Sequence, residues 1–476
     1  VSNKDNFYEL LSLSDYRSVA DTSRRSELKS KSYPQFILNF SGKHLNKVGV
    51  LLFRKDLRTF DNIALLKACE VNDQILCIYC YDNNNCEKYK PAKISKKREA
   101  FIFKSLQDLD NRLQKMGQKL LVFKTSPLEA LNHLNANVPI STFITSQDPG
   151  WYEKKQVAEI KSSYKELEIL QFHNNTLFDE SEIPFDLINF PSSFSKFRKT
   201  VEDQEIKHPW AAPDRLPPMP DLNTDKFSLN AEPVDAELEF AGGESAGKQR
   251  LLHYFETNSA STYKETRNAL DGKNYSTKFS IWLSNGCISA RNIISNLKKY
   301  ESLNGKNNST YWIFFELLWR EYFQWYAHHY KESLYKISGV TGIRPLSSFY
   351  AERLKKWEQG TTPYPLVNAL MNQLVSTGYM SNRGRQIVAS CLVNELELDW
   401  RYGASFMESH LIDYDVASNW GNWQSIAGVG SDGKKKHFDL NKQTKLFDPH
   451  RSFIKHWKGE RGARQLDSVD QSDWPI

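Results

Sequence analysis

Residues 47–62 read KVGVLLFRKDLRTFDN. The first seven form a continuous apolar, β-rich run, as a strand buried on both faces requires. The segment after that run narrows the fold. FRKDLRTFDN stands where a dinucleotide-binding strand would turn into a glycine-rich phosphate loop, and this argues against a usual NAD site. Outward from this strand, helix and strand alternate. A helical stretch at 62–70 leads to a strand at 74–81. A long amphipathic helix fits 93–116, with Phe101, Phe103, Leu106, Leu109, Leu113 and Met116 near helical spacing and Gly117 ending it. KLLVF, a helix from Pro127, STFITS, a helix at 152–165 and LEILQF continue the alternation. That order predicts a parallel, Rossmann-like sheet with crossover helices.

The pattern then changes. Residues 173–245 are rich in Asn, Ser and Pro, and HPWAAPDRLPPMPD (208–221) does not suit regular structure, so a long connector is expected. Beyond about 247 the strand pattern disappears. LVNALMNQLVSTGYM (366–380) sets Val367, Leu370, Met371, Leu374 and Val375 on one helical face. YWIFFELLWREYFQWYAHHY (311–330) is apolar almost all round and predicts a central buried helix. The expected organisation is an N-terminal extension (1–46), an α/β domain (47–175), a connector (176–246), an all-helical domain (247–460) and a tail (461–476). The extension offers one short helix around Tyr8–Leu13.

Bulk properties agree with a folded enzyme-sized chain. Its 476 residues are 40% hydrophobic and 25% charged, long enough for two domains. The aromatic share, 13% with 12 tryptophans, suggests stacking surfaces as well as core. A net charge of +6 permits a nucleic-acid partner without demanding one. Six scattered cysteines do not make a disulfide framework, so a reducing, intracellular, cytoplasmic setting is expected, with an organelle left open. Cys77 and Cys80 form a CxxC, but they sit in a strand with side chains on opposite faces, and no metal site is expected. No apolar run approaches membrane-spanning length. The N-terminus lacks an apolar signal core, and five acids in its first 27 residues argue against a transit peptide.

Three polar clusters stand out in the helical half. YSTKFSIWL (275–283) offers hydroxyls, a lysine and amides before a helix, an arrangement suited to a pyrophosphate, although Ser276 or Thr277 could equally cap that helix. MSNRGRQ (380–386) carries Asn382, Arg383 and Arg385. IDYDVASN (412–419) carries Asp413, Asp415 and Asn419. Arg and Asp in such clusters could form only a structural ion pair.

The combination is more specific. YKETRN, YSTKFSIWLSNGCIS, FELLWREYF, GYMSNRGRQIVAS, DWRYGASFMESHLIDYDVASNWGNWQ and FDPHRSFIKHW, in this order, resemble the photolyase/cryptochrome family. NRGRQ, GNWQ followed by AGVG, and FSKFRKTVE in the connector resemble its DASH branch. The likeness runs from about 47 to about 457. It implies an α/β domain joined to a helical FAD domain, with Tyr263, Ser276, Thr277, Lys278, Phe279 and Ser280 at the phosphates. Asn382, Arg385, Asp413, Asp415 and Asn419 match positions around the isoalloxazine and adenosine, with Arg385–Asp413 tuning the charge of the ring and Asn419 facing flavin N5.

For a DNA lesion the resemblance implies Glu316, Trp319 and Arg320, with Asn382 and Arg383, at the mouth of the FAD pocket. Trp319 would stack a flipped pyrimidine dimer and Glu316 would bond its base edge. Read alone, Trp319 is plain helix packing. Trp423 and Trp400 match the first two tryptophans of the family's electron-supply chain, while the third place is Ser347, in RPLSSFY. A second departure is Ser425, where DASH proteins usually carry tyrosine and other photolyases tryptophan; the lost stack is worth about 1–3 kcal/mol. Asp148, in TSQDPG, falls near the family's antenna-binding glutamate, for methenyltetrahydrofolate, but could equally be a turn residue before Pro149. The implied activity is light-driven repair of cyclobutane pyrimidine dimers in single-stranded DNA by a monomer. RNA is a further possible partner, and the rival reading is a photosensory protein that repairs little.

Overall fold

The computed structural model describes residues 47–81, 94–227, 236–463 and 465–466. The N-terminal segment with its expected helix, Cys86, the start of the helix expected from 93, connector residues 228–235 and tail residues 467–476 lie outside the described residues.

Strand β1 (Val48–Phe53) is buried at every position and pairs in parallel on both sides. Its neighbours are β2 (Gln74–Cys80) and β4 (Thr142–Ser146), with β3 (Leu120–Phe123) and β5 (Glu168–Phe172) at the edges, in the order β3-β2-β1-β4-β5. Helices α1 (Ile63–Val71), α2 (Lys96–Lys115), α3 (Pro127–Asn135) and α4 (Trp151–Ser163) are the crossovers. Their starts reflect local chemistry: Asn62, Ser95 and Ser126 accept the backbone N–H three residues on, and Pro127 occupies the first turn of α3.

Within the connector lies helix α5 (Phe194–Val201), capped by Ser193. After it come α6 (Glu244–Glu256), the single turns α7 (Tyr263–Thr266) and α8 (Ser280–Leu283), α9 (Ala290–Asn304) and the long α10 (Asn308–Tyr330). Helices α11 (Ala351–Glu358), α12 (Pro365–Thr377), α13 (Asn382–Ser390), α14 (Trp400–His410), α15 (Val416–Ala427), α16 (Leu440–Phe447) and α17 (Ser452–His456) complete the second half. The expected α/β-plus-helical architecture is present. On α12, Val367, Leu370, Met371 and Leu374 are buried, but Val375 is 48% exposed, so the apolar face is one residue narrower than its spacing predicts. In α10 burial is concentrated in the second half; Trp312, Phe314, Phe315 and Trp319 are only partly buried. The helix is central but not enclosed, because its first half borders a cavity.

One apolar core links the two halves. Leu51 and Phe53 on one face of β1 belong to the cluster that runs through Phe190, Phe194 and Phe197 of the connector into the helices. Val48, Val50 and Leu52 on the other face form a separate core with α3. The loop 54–62 acts as a peg between the halves. Arg58 is buried and donates to the carbonyls of Asp61 (2.8 Å), Asn174 (2.7 Å) and Gly286 (3.0 Å). Glu244 accepts from the Thr59 amide (2.7 Å), and Arg291 pairs with Asp61 (3.1 Å). Gly286 has φ +67°, and a Cβ there would collide with the Lys55 carbonyl. None of the helices among the described residues is long and apolar enough to cross a membrane.

Where the connector leaves β5, His173 and His328 of α10 are buried with their rings 5.2 Å apart. Burial pushes both imidazoles below their ordinary value, most strongly at His328, where Lys154 and His173 add to the effect. A depressed folded value means that stability is present above the unfolded value, about 6.5, and is lost as pH falls through the folded value. His328→Gln is therefore expected to lose less thermal stability than the wild type on acidification, measured by the melting midpoint across that range. Parallel pH curves for the two proteins would refute the assignment.

Candidate cofactor and substrate cavity

The partly buried face of α10 borders a cavity of about 570 Å³, within the range of small-molecule sites. Tyr263, Ser276, Thr277, Lys278, Phe279 and Ser280 line it from one side, Asn382 and Arg385 from α13, and Asp413, Asp415, Asn419 and Trp423 from the α14–α15 turn and α15. Glu316, Trp319 and Arg320 of α10 line it too. Residues separated by up to 175 positions, Tyr263 to Phe438, thus line one cavity. Two residues chosen from the sequence do not line it. Trp400 lies behind it, its indole N–H donating to the Ile337 carbonyl (3.1 Å). Arg383 stands beside it, 5.1 Å from the Phe447 ring and donating to Asn268 (3.3 Å).

Asp413 is the hub. Arg385 Nη2 reaches both carboxylate oxygens at 2.8 Å, and Ser280 Oγ donates to Oδ2 at 2.7 Å. Arg385 Nε is fixed by the Met380 carbonyl (2.9 Å). Arg385, Asp413 and Ser280 thus join three sequence blocks and line the cavity. Asp415 caps α15 through the Ser418 amide (2.7 Å) and accepts from Gln324 Nε2 (3.0 and 2.9 Å). Its burial favours the neutral acid, but Arg320, Lys55 and the Ser418 bonds outweigh that and hold it below the usual carboxylate range. Asn419 Nδ2 donates to the Ala404 carbonyl (3.0 Å), leaving Oδ1 and the second amide hydrogen for a cavity ligand.

The phosphate-type loop is not a helix cap. Helix α8 begins after Phe279, which makes no side-chain cap bond; Thr277 Oγ1 accepts only the Phe279 N–H at the helix entrance (3.4 Å), and the Ser276 side chain makes no such bond. Arg250 instead grips the loop by its carbonyls, at Lys273 (2.9 Å), Thr277 (3.1 Å) and Ser276 (3.3 Å). Lys278 takes a left-handed backbone, φ +61°, an arrangement costing about 1–3 kcal/mol that persists only where the surroundings enforce it. Hydroxyls, a buried lysine and the Arg385 guanidinium on one wall fit an anionic, pyrophosphate-bearing cofactor such as FAD.

At the mouth, Glu316 is ion-paired with Arg267, whose guanidinium lies 4.4 Å from the Trp312 ring centre. Burial raises the Glu316 carboxyl, with Arg267 pulling the other way. Phe194 of α5 stacks on Trp319, centroids 3.6 Å apart and planes 11° from parallel. Trp319 is thus both packed against the connector and part of the cavity wall.

Beside Ser425, Lys436 occupies the space. Its ammonium donates to Ser425 Oγ and lies 3.6 Å from Asp432, and both Ser425 and Lys436 line the cavity. The Lys436 backbone is pinned by the Ile426 carbonyl (3.1 Å) and by Asn394 Nδ2 (3.0 Å). Asn394 sits in a π turn, Cys391–Glu395, directly after α13. Gly428, φ +75°, admits the return of Lys435 against it, so the first glycine of AGVG serves this fold-back.

Asp148 lies elsewhere, between β4 and α4. It is buried, and neither carboxylate oxygen has a hydrogen-bond partner among the described residues, which argues against the turn role, where the side chain accepts a nearby N–H. Burial and Glu153 hold it well above the usual range, with Lys55 and Arg54 acting against them.

Both halves of the chain resemble known proteins. Residues 49–217 match the family model described as DNA photolyase, and residues 312–470 that described as the FAD binding domain of DNA photolyase. The chain is 46% identical to a cryptochrome DASH of Vibrio parahaemolyticus, across 90% of this chain and 97% of that protein. It is 45% identical to one of Idiomarina loihiensis, across 90% and 97%. A solved cryptochrome from Synechocystis superposes with a TM-score of 0.81 at 34% identity, covering 91% of this chain and 94% of that one.

Asp413→Ala would strand Arg385 and Ser280 at once. Because the Arg385 side chain is 26% exposed, the cost is expected near the lower end for a broken buried pair, about 3 kcal/mol, together with loss of bound flavin. Denaturant unfolding and the flavin-to-protein absorbance ratio check this; full flavin retention contradicts it.

Proposed function

This chain belongs to the photolyase/cryptochrome family, in its cryptochrome DASH branch, and we propose that it is a blue-light-driven photolyase for cyclobutane pyrimidine dimers in single-stranded DNA. The observation that carries this reading is one shared cavity: the expected flavin contacts Arg385, Asp413 and Asn419 and the expected lesion contacts Glu316 and Trp319 line the same space. When bound and reduced, FAD supplies one electron to the dimer on absorbing light and regains it after the ring splits. The protein's part is to bind, orient and tune. Ser276, Thr277 and Lys278 hold the phosphates. The Arg385 guanidinium, anchored by Asp413, sets positive charge beside the ring.

Trp319, stiffened from behind by Phe194, offers a stacking face worth about 1–3 kcal/mol per base. Glu316, raised by burial, bonds the base edge once Arg267 turns toward the DNA backbone. Flipping a base from a duplex costs a few kcal/mol, which a single strand avoids. That favours single strands here, since Ser425 removes one aromatic wall and Lys436 replaces it with a cation. The unpartnered Asp148 carboxylate suits the paired N–H donors of a pterin, and we assign it to a methenyltetrahydrofolate antenna.

A second reading, a photosensory protein that binds nucleic acid and repairs little, is favoured by the Glu316–Arg267 pair and by the same missing wall. Illumination of the reduced protein with a dimer-bearing single-stranded oligonucleotide separates them. Loss of dimers is expected; saturated binding without loss would leave the sensory reading. Undamaged RNA added as competitor tests it as a further partner. Lys436→Met is expected to reduce the slope of log affinity against log salt for single-stranded DNA by about 0.7, one phosphate contact. An unchanged slope removes Lys436 from the DNA interface.

A further inference from the structure

The tryptophans behind the cavity lead in two directions. Trp423, on the cavity wall, sets its benzo edge against Gly403, one turn along α14 from Trp400. It also meets Trp357, with ring centres 6.3 Å apart. Trp357 leads nowhere useful to an electron: it is fully buried, and its onward ring is Phe406 at 5.5 Å, a phenyl too hard to oxidise. From Trp400 the rings continue. Trp420 lies 5.7 Å away, and Tyr335 lies 5.0 Å from Trp420. The Tyr335 hydroxyl accepts the backbone N–H of Trp151 (3.3 Å), a residue 37% exposed. Ser347, in contrast, is an exposed residue with no ring.

We propose that Trp420 and Tyr335 form the outer end of the electron-supply chain of this protein, in place of the missing aromatic at 347. The proposal rests on the cavity holding a flavin. With oxidised flavin bound and excited by light, Trp423 would give up one electron to it, the vacancy would pass to Trp400, Trp420 and then Tyr335, and Tyr335 would release its phenolic proton to water. An external thiol returns one electron and one proton to Tyr335. Two such turns convert two thiols to one disulfide.

Local chemistry favours this order. The Trp420 indole N–H is held by Glu408 Oε2 and by the Tyr414 hydroxyl, each at 3.2 Å, so the ring is fixed between its neighbours. Burial, with Glu153 nearby, keeps the Tyr335 phenol protonated at any ordinary pH. Its oxidation must therefore shed a proton, which slows return of the electron. The Trp151 N–H remains as a hydrogen-bond donor to the oxygen left behind.

Laser-flash absorption and electron paramagnetic resonance of the oxidised, flavin-bearing protein test this, with flavin content measured first. The wild type is expected to give a long-lived neutral tyrosyl signal that decays faster with added thiol. Tyr335→Phe should lose that signal and keep the prompt tryptophan one. Trp420→Phe should lose the long-lived signal, and Ser347→Trp added to it should restore a long-lived tryptophan radical, showing the fold intact. Trp357→Phe should leave the tyrosyl signal in place, as should Tyr402→Phe, which alters the exposed tyrosine beside Phe349. A flavin-bearing Trp420→Phe protein with an undiminished tyrosyl signal overturns the proposal alone, as does loss of that signal in Tyr402→Phe or Trp357→Phe. A protein without flavin overturns the cavity reading as well.

Discussion

A buried guanidinium fixes how the two halves of this molecule meet. Burial lowers the pKa of Arg58, with Asp61 and Asp56 opposing, and its hydrogen bonds go to three backbone carbonyls. Left without acceptors, a buried cation costs several kcal/mol. The acceptors come from the loop after β1, the start of the connector and the turn before α9, so only one relative placement satisfies all of them. Gly286 lets the chains approach closely enough. The loop that in a dinucleotide fold would cradle phosphate is here filled by its own side chains and spent on holding the halves together.

That placement leaves the cofactor cavity to the helical half. Three blocks far apart in sequence contribute one residue each to the Asp413 hub, and the hub works because a carboxylate with Arg385 and Ser280 on it is fully bonded in a nearly dry place. The long helix α10 serves both needs: its second half is core, while its first half turns Glu316, Trp319 and Arg320 toward the cavity. Glu321 ties the connector to it, accepting the amides of Leu177 (2.8 Å) and Phe178 (3.4 Å). Through that tie and the Phe194 stack, the connector backs the wall that Trp319 forms.

Much of this was legible because it is local. Strand runs, capping residues and helical spacing depend on neighbours a few positions away, and the motif blocks carried by resemblance the residues that line the cavity. Contacts that depend on distant partners were not legible. Arg267 stood inside a recognised block, yet its pairing with Glu316 needs α7 packed on α10. Lys436 is 11 residues beyond Ser425, and only the glycine-permitted fold-back brings its ammonium to that hydroxyl. Val375 erred in the opposite sense: its spacing is right for the buried stripe, but at that edge of α12 it is left 48% exposed.

By itself the sequence determined the class of each half, the parallel alternation, the family and the chemical types gathered for a flavin, since these arise from periodicity, composition and short motifs. Tertiary structure decided what fills the gap at Ser425, whether Asp148 is a turn residue or an unpartnered acid, and which rings continue from Trp400. Those outcomes depend on distances between segments remote in the chain. Burial and side-chain contact exist only after the whole core has closed around them.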